Sequence, residues 1–333
     1  MKLSKLANTS SKLSLLGQTV HFSSSESMNE IKESVNLVFT SPPYWMIKDY
    51  EHKDQIGLEK TYQEYLDRLN LVWDECYRVT KDNALLAINI GTKRHQGQFY
   101  PIGMDIYKNM EKWKLIDRII WYIPNALTQP NHYTDKLPDS KFEDVLIFAK
   151  NYDYKHTFNK IRVPQKYKIR DARKNNKHPD GRSIGNVIRL RAYRPPPIKK
   201  MNYHQAAYPE DLVHFILKSY SNEGDTVLDP FVGSGTTLKV ARHTERKGIG
   251  FEINSSSDVR TLIENRINED WKPIPFAEMD MMRGEVLPKN NKNENTNFSS
   301  QRKSVATPAL TSLQFFGASS TTSTSSGMYF SFI

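Results

Sequence analysis

Apolar residues fall into two patterns that take turns along the chain. Short runs rich in apolar residues at 35–39, 84–90, 115–123, 144–149, 226–228 and 247–253 predict buried strands. Between them lie longer stretches with apolar residues three and four apart. Over residues 58–78 these are Tyr62, Tyr65, Leu66, Leu69, Val72, Trp73 and Cys76, which share one face of a helix. Further helices are predicted over 101–113, with proline in the first turn, and over 209–220, 236–246 and 258–267. Alternation of this kind predicts an α/β fold, a mostly parallel sheet with helices on both faces.

Two stretches break the pattern. Residues 151–200 show no sustained period and contain Pro164, Pro179, Gly181, Gly185 and the run Pro195-Pro196-Pro197. This stretch holds 15 Lys and Arg against three Asp, a net of +12. The whole chain of 333 residues carries +10, so the remainder is near −2 and the positive field comes from this one insertion. A local basic block interleaved with Tyr and Asn points to a polyanion surface, with a solvated insertion as the plainer alternative. After about residue 275 the pattern dissolves, and residues 290–326 are rich in Asn, Ser and Thr. Residues 276–333 are therefore expected to be a disordered tail.

The single cysteine, Cys76, excludes an intrachain disulfide and a cysteine-rich metal cluster, and its place on an apolar helix face predicts packing. No metal site is expected. There is no apolar run of membrane-spanning length and no secretory cleavage pattern near the N-terminus, so a reducing cytoplasm is the expected compartment.

Two segments carry candidate chemistry. Thr226-Val227-Leu228 runs into Asp229-Pro230-Phe231-Val232-Gly233-Ser234-Gly235-Thr236-Thr237. This is a strand, a glycine turn and a helix start. The glycines let backbone approach a ligand, and the helix N-terminus favours a carboxylate. The third glycine of a dinucleotide loop is absent, because Leu238 occupies its place. Glu252, at the end of the next strand, is placed to bind the two hydroxyls of a ribose.

The second segment, Thr40-Ser41-Pro42-Pro43-Tyr44-Trp45, follows its strand without a spacer and so lies at the carboxyl edge of the sheet, where ligands bind. Ser41 Oγ and the Pro42 carbonyl are hydrogen-bond acceptors suited to an aromatic amine that must become pyramidal to attack. Two prolines fix the loop. Tyr44 offers a face for stacking on a base, and Trp45 is expected to back it in the target-base pocket.

Together these segments resemble site-specific DNA amino-methyltransferases of the β class, in which the catalytic motif precedes the cofactor loop. The Ser-Pro-Pro-Tyr-Trp form is similar to the cytosine-N4 subgroup. The resemblance covers roughly residues 18–150 and 200–270. It implies a Rossmann-like methyltransferase sheet, S-adenosylmethionine as cofactor, and methyl transfer to cytosine N4 in double-stranded DNA after base flipping. It further implies Ser41, Pro42, Pro43 and Tyr44 as catalytic residues, and Asp229, Phe231, Gly233, Ser234, Gly235, Thr236 and Glu252 as cofactor-binding residues.

The implied layout is a catalytic half at 1–150, a target-recognition segment at 151–200 and a cofactor half at 201–275. Lys166, Lys168, Arg170, Arg173, Lys174, Lys177, Arg189, Arg191 and Arg194 would bind DNA. Protection of host DNA from an endonuclease acting on the same site, in a prokaryotic cytoplasm, also follows from the resemblance. Adenine-N6 methylation remains an alternative, as do amino-methylation of RNA or protein glutamine and a non-enzymatic DNA-binding role. Carbon-5 methylation is disfavoured, since Cys76 lies between Glu75 and Tyr77 and not in a Pro-Cys motif.

Three further segments have counterparts in the family. Residues 204–212 would close over the methionine end of the cofactor. Pro124-Asn125 would help shape the base pocket, with ordinary loop formation as the equal alternative, and Ile123 replaces a lysine expected at the surface. Residues 20–25 stand where relatives carry a Gly-Asp-Ser segment whose acid defines the adenosine pocket; here they contain no acid.

Overall fold

The computed structural model describes residues 11–32, 34–46, 49, 52–126, 136–164, 180–192 and 208–281. Among these, the elements in chain order are β1 (Lys12–Leu15), β2 (Gln18–His21), β3 (Val35–Thr40), α1 (Tyr62–Val79), β4 (Thr80–Ile90), β5 (Lys93–His95), β6 (Gln98–Tyr100), α2 (Ile102–Asn109), β7 (Lys114–Tyr122) and β8 (Phe142–Ala149). There follow β9 (Arg162–Val163), β10 (Arg182–Ser183), β11 (Val187–Arg189), α3 (Glu210–Tyr220), β12 (Thr226–Asp229), α4 (Thr236–His243), β13 (Lys247–Phe251) and α5 (Ser257–Asn268).

Nine strands form one sheet in the order β1-β2-β13-β12-β3-β4-β8-β7-β11. The central run β2-β13-β12-β3-β4 is parallel. β8 pairs antiparallel with both β4 and β7, so the sheet is mixed. Its strands alternate cleanly between two cores. Leu37 and Phe39 of β3 and Leu85 and Ala87 of β4 pack on the α3 side. Val38, Leu86 and Ile88 pack on the opposite side, with Leu69, Val72, Trp73 and Cys76 of α1. Cys76 is fully buried in that core, and burial pushes its thiol well above the usual range.

Helix α1 starts four residues later than its apolar period predicts, because Thr61 caps it. The Thr61 hydroxyl accepts from Glu64 N and the Glu64 carboxylate accepts from Thr61 N. Residues 52–60 are thereby released as a loop, which matters for the site. The β1–β2 hairpin was not predicted. Its turn, Leu16-Gly17, has φ of +50° and +77°, the geometry that suits a two-residue hairpin.

The basic insertion is more regular than its sequence implies. β9 pairs with β10, and β11 joins the main sheet in parallel beside β7. Residues 276–281, expected in the tail, also pack in place. Met279 is fully buried, the Phe276 ring stacks on His214 at 4.8 Å, and Arg182 pairs with Asp280. The rest of the tail lies outside the described residues.

Candidate functional site

Parallel strands deliver their following loops to one edge in spatial order. Along that edge come Ser23–Ser25 after β2, Glu252 after β13, Phe231–Ser234 after β12 and Ser41–Pro43 after β3. These loops wall a cleft with about 930 Å³ of empty space, part of it open to solvent. Asp54, Gln55 and Ile56, on the loop released by the Thr61 cap, and Tyr208, just ahead of α3, complete the wall.

The glycine loop fits a ligand with an anionic end. Gly235 is the residue before α4 and has φ of +87°, a conformation that disfavours any side chain. Phe231, Gly233, Ser234 and Thr236 line the cleft. Close packing beneath the loop depends on glycine. A Cβ on Gly250 would lie 2.1 Å from Val232 Cγ2, and one on Gly248 would lie 2.1 Å from Gln18 Oε1.

Glu252 opens onto the cleft with its carboxylate fixed from behind. Its Oε2 accepts from Gly233 N at 2.9 Å and its Oε1 from Asn254 N at 2.9 Å. Each oxygen keeps capacity for a further donor. Burial outweighs these hydrogen bonds and raises the carboxyl to about 7.

Asp229 is not a wall of the cleft. It is fully buried beneath the loops, where Oδ1 accepts from Thr40 Oγ1 at 2.6 Å and from Phe231 N at 3.0 Å, and Oδ2 accepts from the Tyr208 hydroxyl at 3.1 Å. Tyr208 is also 2.5 Å from Thr237 Oγ1. Asp229 therefore acts through its neighbours. It ties the end of β3, the glycine loop and the entry to α3 together.

The Ser41–Tyr44 loop is held from several directions. Tyr65 donates to the Pro43 carbonyl at 2.9 Å, and Gly91 N donates to the Tyr44 hydroxyl at 2.7 Å. The enclosed Tyr44 hydroxyl lies against Glu143, which accepts from Asn89 Nδ2 at 3.0 Å. Burial raises both Tyr44 and Glu143 above their ordinary ranges. Ser41 and Pro43 line the cleft, and neither Ser41 Oγ nor the Pro42 carbonyl is spent on a hydrogen bond to another described residue.

Trp45 departs from expectation. It is buried away from the cleft, donating to the Glu59 carbonyl at 3.1 Å and packing against Tyr62, His95 and Tyr100. An indole so enclosed anchors the loop and is not available to face a base.

Arg68 on α1 gathers the outer rim. It forks onto Glu26 at 2.9 and 2.8 Å, reaches Glu59 at 3.0 Å, and donates to the Asp54 and Gln55 carbonyls at 2.8 Å each. Across the rim Gly57 lies against the Ser41–Tyr44 loop. Its carbonyl accepts from Met46 N at 2.7 Å, and a Cβ there would stand 3.3 Å from the Tyr44 carbonyl. The loop 52–57 thus arches from the Ser41 side of the cleft to the Ser24–Glu26 side. Sequence reading missed this arch as a cleft wall, because only the folded position of Arg68 and the sheet order bring it there, whereas Tyr208 falls in the 204–212 segment expected to close over the cofactor.

Glu210 turns away from the cleft into a buried ion cluster with Arg266 at 2.6 Å and Lys239 at 3.3 Å. Residues 204–207 lie outside the described residues. Ile123, where a surface lysine was expected, is buried in the core beside Trp121. Asn125 exchanges two hydrogen bonds of 3.0 Å with the Ala192 backbone, joining the loop after β7 to the end of the basic insertion. Arg189 and Arg191 are exposed at the β11 edge. Lys166, Lys168, Arg170, Arg173, Lys174, Lys177 and Arg194 lie outside the described residues.

Comparison with known proteins is consistent with this frame. A family model described as DNA methylase, of the N6/N4 group, matches residues 35–257. The type II methyltransferase M.HpaI of Haemophilus parainfluenzae is 32% identical over 264 residues, spanning 76% of this chain and 74% of that protein. M.MwoI of Methanothermobacter wolfeii is 32% identical over 63% of this chain, which spans only 27% of that longer protein. Among solved structures, the PvuII DNA methyltransferase (cytosine-N4-specific) superposes with a TM-score of 0.56 at 19% identity, covering 76% of this chain and 93% of that one.

Proposed function

The chain belongs to the N6/N4 family of DNA methylases, and on that premise we propose that it transfers a methyl group from S-adenosylmethionine to the N4 amine of a cytosine drawn out of double-stranded DNA. The residues present fit the cofactor. The N-terminus of α4 offers unpaired N–H groups for the methionine carboxylate. Glu252 offers two fixed acceptors to the ribose. Ser23 Oγ, at the far end of the cleft, is a buried polar atom without a partner among the described residues. When bound, the cofactor supplies an electrophilic methyl on its sulfonium.

The protein's own contribution is acceptors and rigidity. An amine conjugated to a pyrimidine is a poor nucleophile. Hydrogen bonds from its two N–H groups to Ser41 Oγ and the Pro42 carbonyl would favour the pyramidal form that attacks; as the new N–C bond forms the methyl–sulfur bond breaks, a neutral thioether leaves, and one amine proton passes to solvent. The observation that carries this reading is that Ser41 lines the cleft, with neither its Oγ nor the Pro42 carbonyl bonded to another described residue, on a loop fixed by Tyr65, Gly91 and Asp229. Serine at position 41, where adenine-N6 relatives mostly carry Asp or Asn, favours cytosine. Tyr44 supplies the stacking face for the extruded base, and the basic insertion, with Arg189 and Arg191 at its sheet edge, carries DNA phosphates and reads the site. The biological role is protection of host DNA from an endonuclease of the same specificity.

Nucleoside mass spectrometry of DNA treated with the enzyme and S-adenosylmethionine tests this. N4-methylcytosine is expected. N6-methyladenine overturns the base assignment, and an absence of any methylated base overturns the activity.

A further inference from the structure

One acidic group at the cleft has no task in methyl transfer or in ribose binding. Cofactor binding from α4 and Glu252 fixes the ligand's direction, because the loops follow the sheet order. The carboxylate end lies by β12, the ribose by β13, and the adenine must therefore extend toward the loop after β2. That loop lines the cleft with Ser23, Ser24 and Ser25 and brings no free acid. Its one nearby carboxylate, Glu26, is engaged by the Arg68 fork and by Ser24 Oγ at 3.0 Å.

Asp54 stands at the same end. Arg68 Nη2 binds Glu26 Oε2 and the Asp54 carbonyl at 2.8 Å each, so a single nitrogen holds the tip of the arch beside the Ser24–Glu26 loop. Asp54 lines the cleft, and its carboxylate makes no ion pair or side-chain hydrogen bond among the described residues. Its backbone N–H is taken by His52 Nδ1 at 3.2 Å, which holds the turn while leaving the side chain available. Ile56 and Phe231 supply apolar surface in the same cleft for a flat ring.

Resting on S-adenosylmethionine as the ligand, we infer that Asp54 is the adenine-specifying residue of this cleft, its carboxylate accepting a hydrogen bond from the exocyclic 6-amine, with Ser23 Oγ as a neighbouring polar contact. The arch works as a roof over the cofactor, and Arg68 sets the height of that roof. A carboxylate accepts only. It welcomes the amine of adenine and repels the carbonyl that replaces it in hypoxanthine.

The test is calorimetric titration of wild type, Asp54→Ala and Asp54→Asn with S-adenosylhomocysteine and with S-inosylhomocysteine, whose hypoxanthine carries a carbonyl in place of the 6-amine and a proton on N1. Wild type should prefer the adenine ligand by about ten- to a hundredfold, the value of one charged hydrogen bond. Asp54→Ala should bind the adenine ligand more weakly and lose most of the preference. Asp54→Asn, whose amide offers both a donor and an acceptor, should bind both ligands within a few fold of each other. Asp54 is exposed on a loop, so melting temperatures should match. Undiminished preference in Asp54→Ala overturns the inference alone. Failure of wild type to bind S-adenosylhomocysteine overturns the cofactor assignment and the inference with it.

Discussion

Thr40 Oγ1 donates to Asp229 Oδ1 at 2.6 Å across 189 residues of sequence, joining the last residue of β3 to the last residue of β12. Ser41 follows the first and the glycine loop follows the second. The bond therefore fixes the proposed amine acceptor relative to the proposed cofactor loop. Its position is fully buried, so removing the donor leaves a carboxylate oxygen short of a partner. Thr40→Val, nearly isosteric, should cost about 1–3 kcal/mol of stability. It should lower kcat more than it raises cofactor Kd, whereas Thr40→Ser should restore both. Equal turnover in Thr40→Val and wild type would show that this tie does not position the loop.

Glu252 predicts a pH dependence with a definite sign. Burial holds its carboxyl at about 7, above the ordinary carboxyl value of 4.5. In the free protein its contribution to stability is fully present below the ordinary value and is lost as pH rises through about 7. Cofactor binding runs the other way, since ribose hydroxyl donors favour the carboxylate. Affinity for S-adenosylhomocysteine should rise as pH passes upward through about 7, with proton release visible as a dependence of the binding heat on buffer. Glu252→Gln should bind more weakly with a flat profile. A flat wild-type profile would remove the ionised form from the binding step.

Glu210 is a stability residue. Burial opposes its ionisation, but Arg266, which is 1% exposed, and Lys239 outweigh that and lower its carboxyl below the ordinary value. The cluster ties α3 to α4 and α5. Its stabilisation is present above the ordinary carboxyl value and is lost as pH falls through the lowered one. Glu210→Ala leaves Arg266 and Lys239 with Glu269 as their remaining carboxylate, at 2.5 and 2.7 Å, so the loss should fall below the about 3–5 kcal/mol of a fully broken buried pair, read by denaturant titration. The cofactor Kd measured well below the melting temperature should stay close to wild type. A large loss of affinity with unchanged stability would place Glu210 in the cofactor site after all.

The fold was largely legible because its central strands are buried on both faces. Thr80–Ile90 and Phe142–Ala149 read as apolar runs whichever direction they take, and for that reason their antiparallel pairing was not legible. The glycine loop and Ser41–Tyr44 stood out in the sequence because the chemistry proposed for them depends on contiguous residues. Less visible were features assembled from afar. Lys12–Leu15 is half-exposed and short, so the edge hairpin left little pattern. Trp45 sits next to Tyr44 in sequence but turns into the core beside Tyr62 and Tyr100, since the strand has ended and alternation no longer applies. Asp54 gave one local hint, its place just ahead of Gly57 and the Thr61 cap. Its position at the cleft depends on Arg68, a whole turn into the next helix.

At the far edge of the sheet, Arg189 and Arg191 are the exposed described members of the basic set. A cation that neutralises a phosphate releases a counterion, so Arg189→Ala with Arg191→Ala should weaken DNA binding and flatten the plot of log affinity against log salt. The slope should fall by about 0.9 for each phosphate no longer neutralised. Affinity for S-adenosylhomocysteine should not change. A salt slope equal to wild type would remove the β11 edge from the DNA face.

The sharpest expectation concerns Ser41 and Tyr44, which the same loop presents for different purposes. Ser41 accepts from the amine most strongly as nitrogen becomes tetrahedral, so its value is greatest in the transition state. Ser41→Ala should lower kcat and leave the Kd values for DNA and cofactor near wild type. Tyr44 has its hydroxyl anchored by Gly91, and its ring is the proposed platform for the extruded base. Base–aromatic stacking is worth about 1–3 kcal/mol by alanine substitution, so Tyr44→Ala should weaken capture of the base by roughly five- to a hundredfold. Tyr44→Phe keeps the ring but loses the anchor and should fall between. With 2-aminopurine at the target position, wild type should give a fluorescence rise on binding. Tyr44→Ala should give a smaller one and Ser41→Ala an unchanged one. A full rise in Tyr44→Ala together with a lost rise in Ser41→Ala would reverse the two roles.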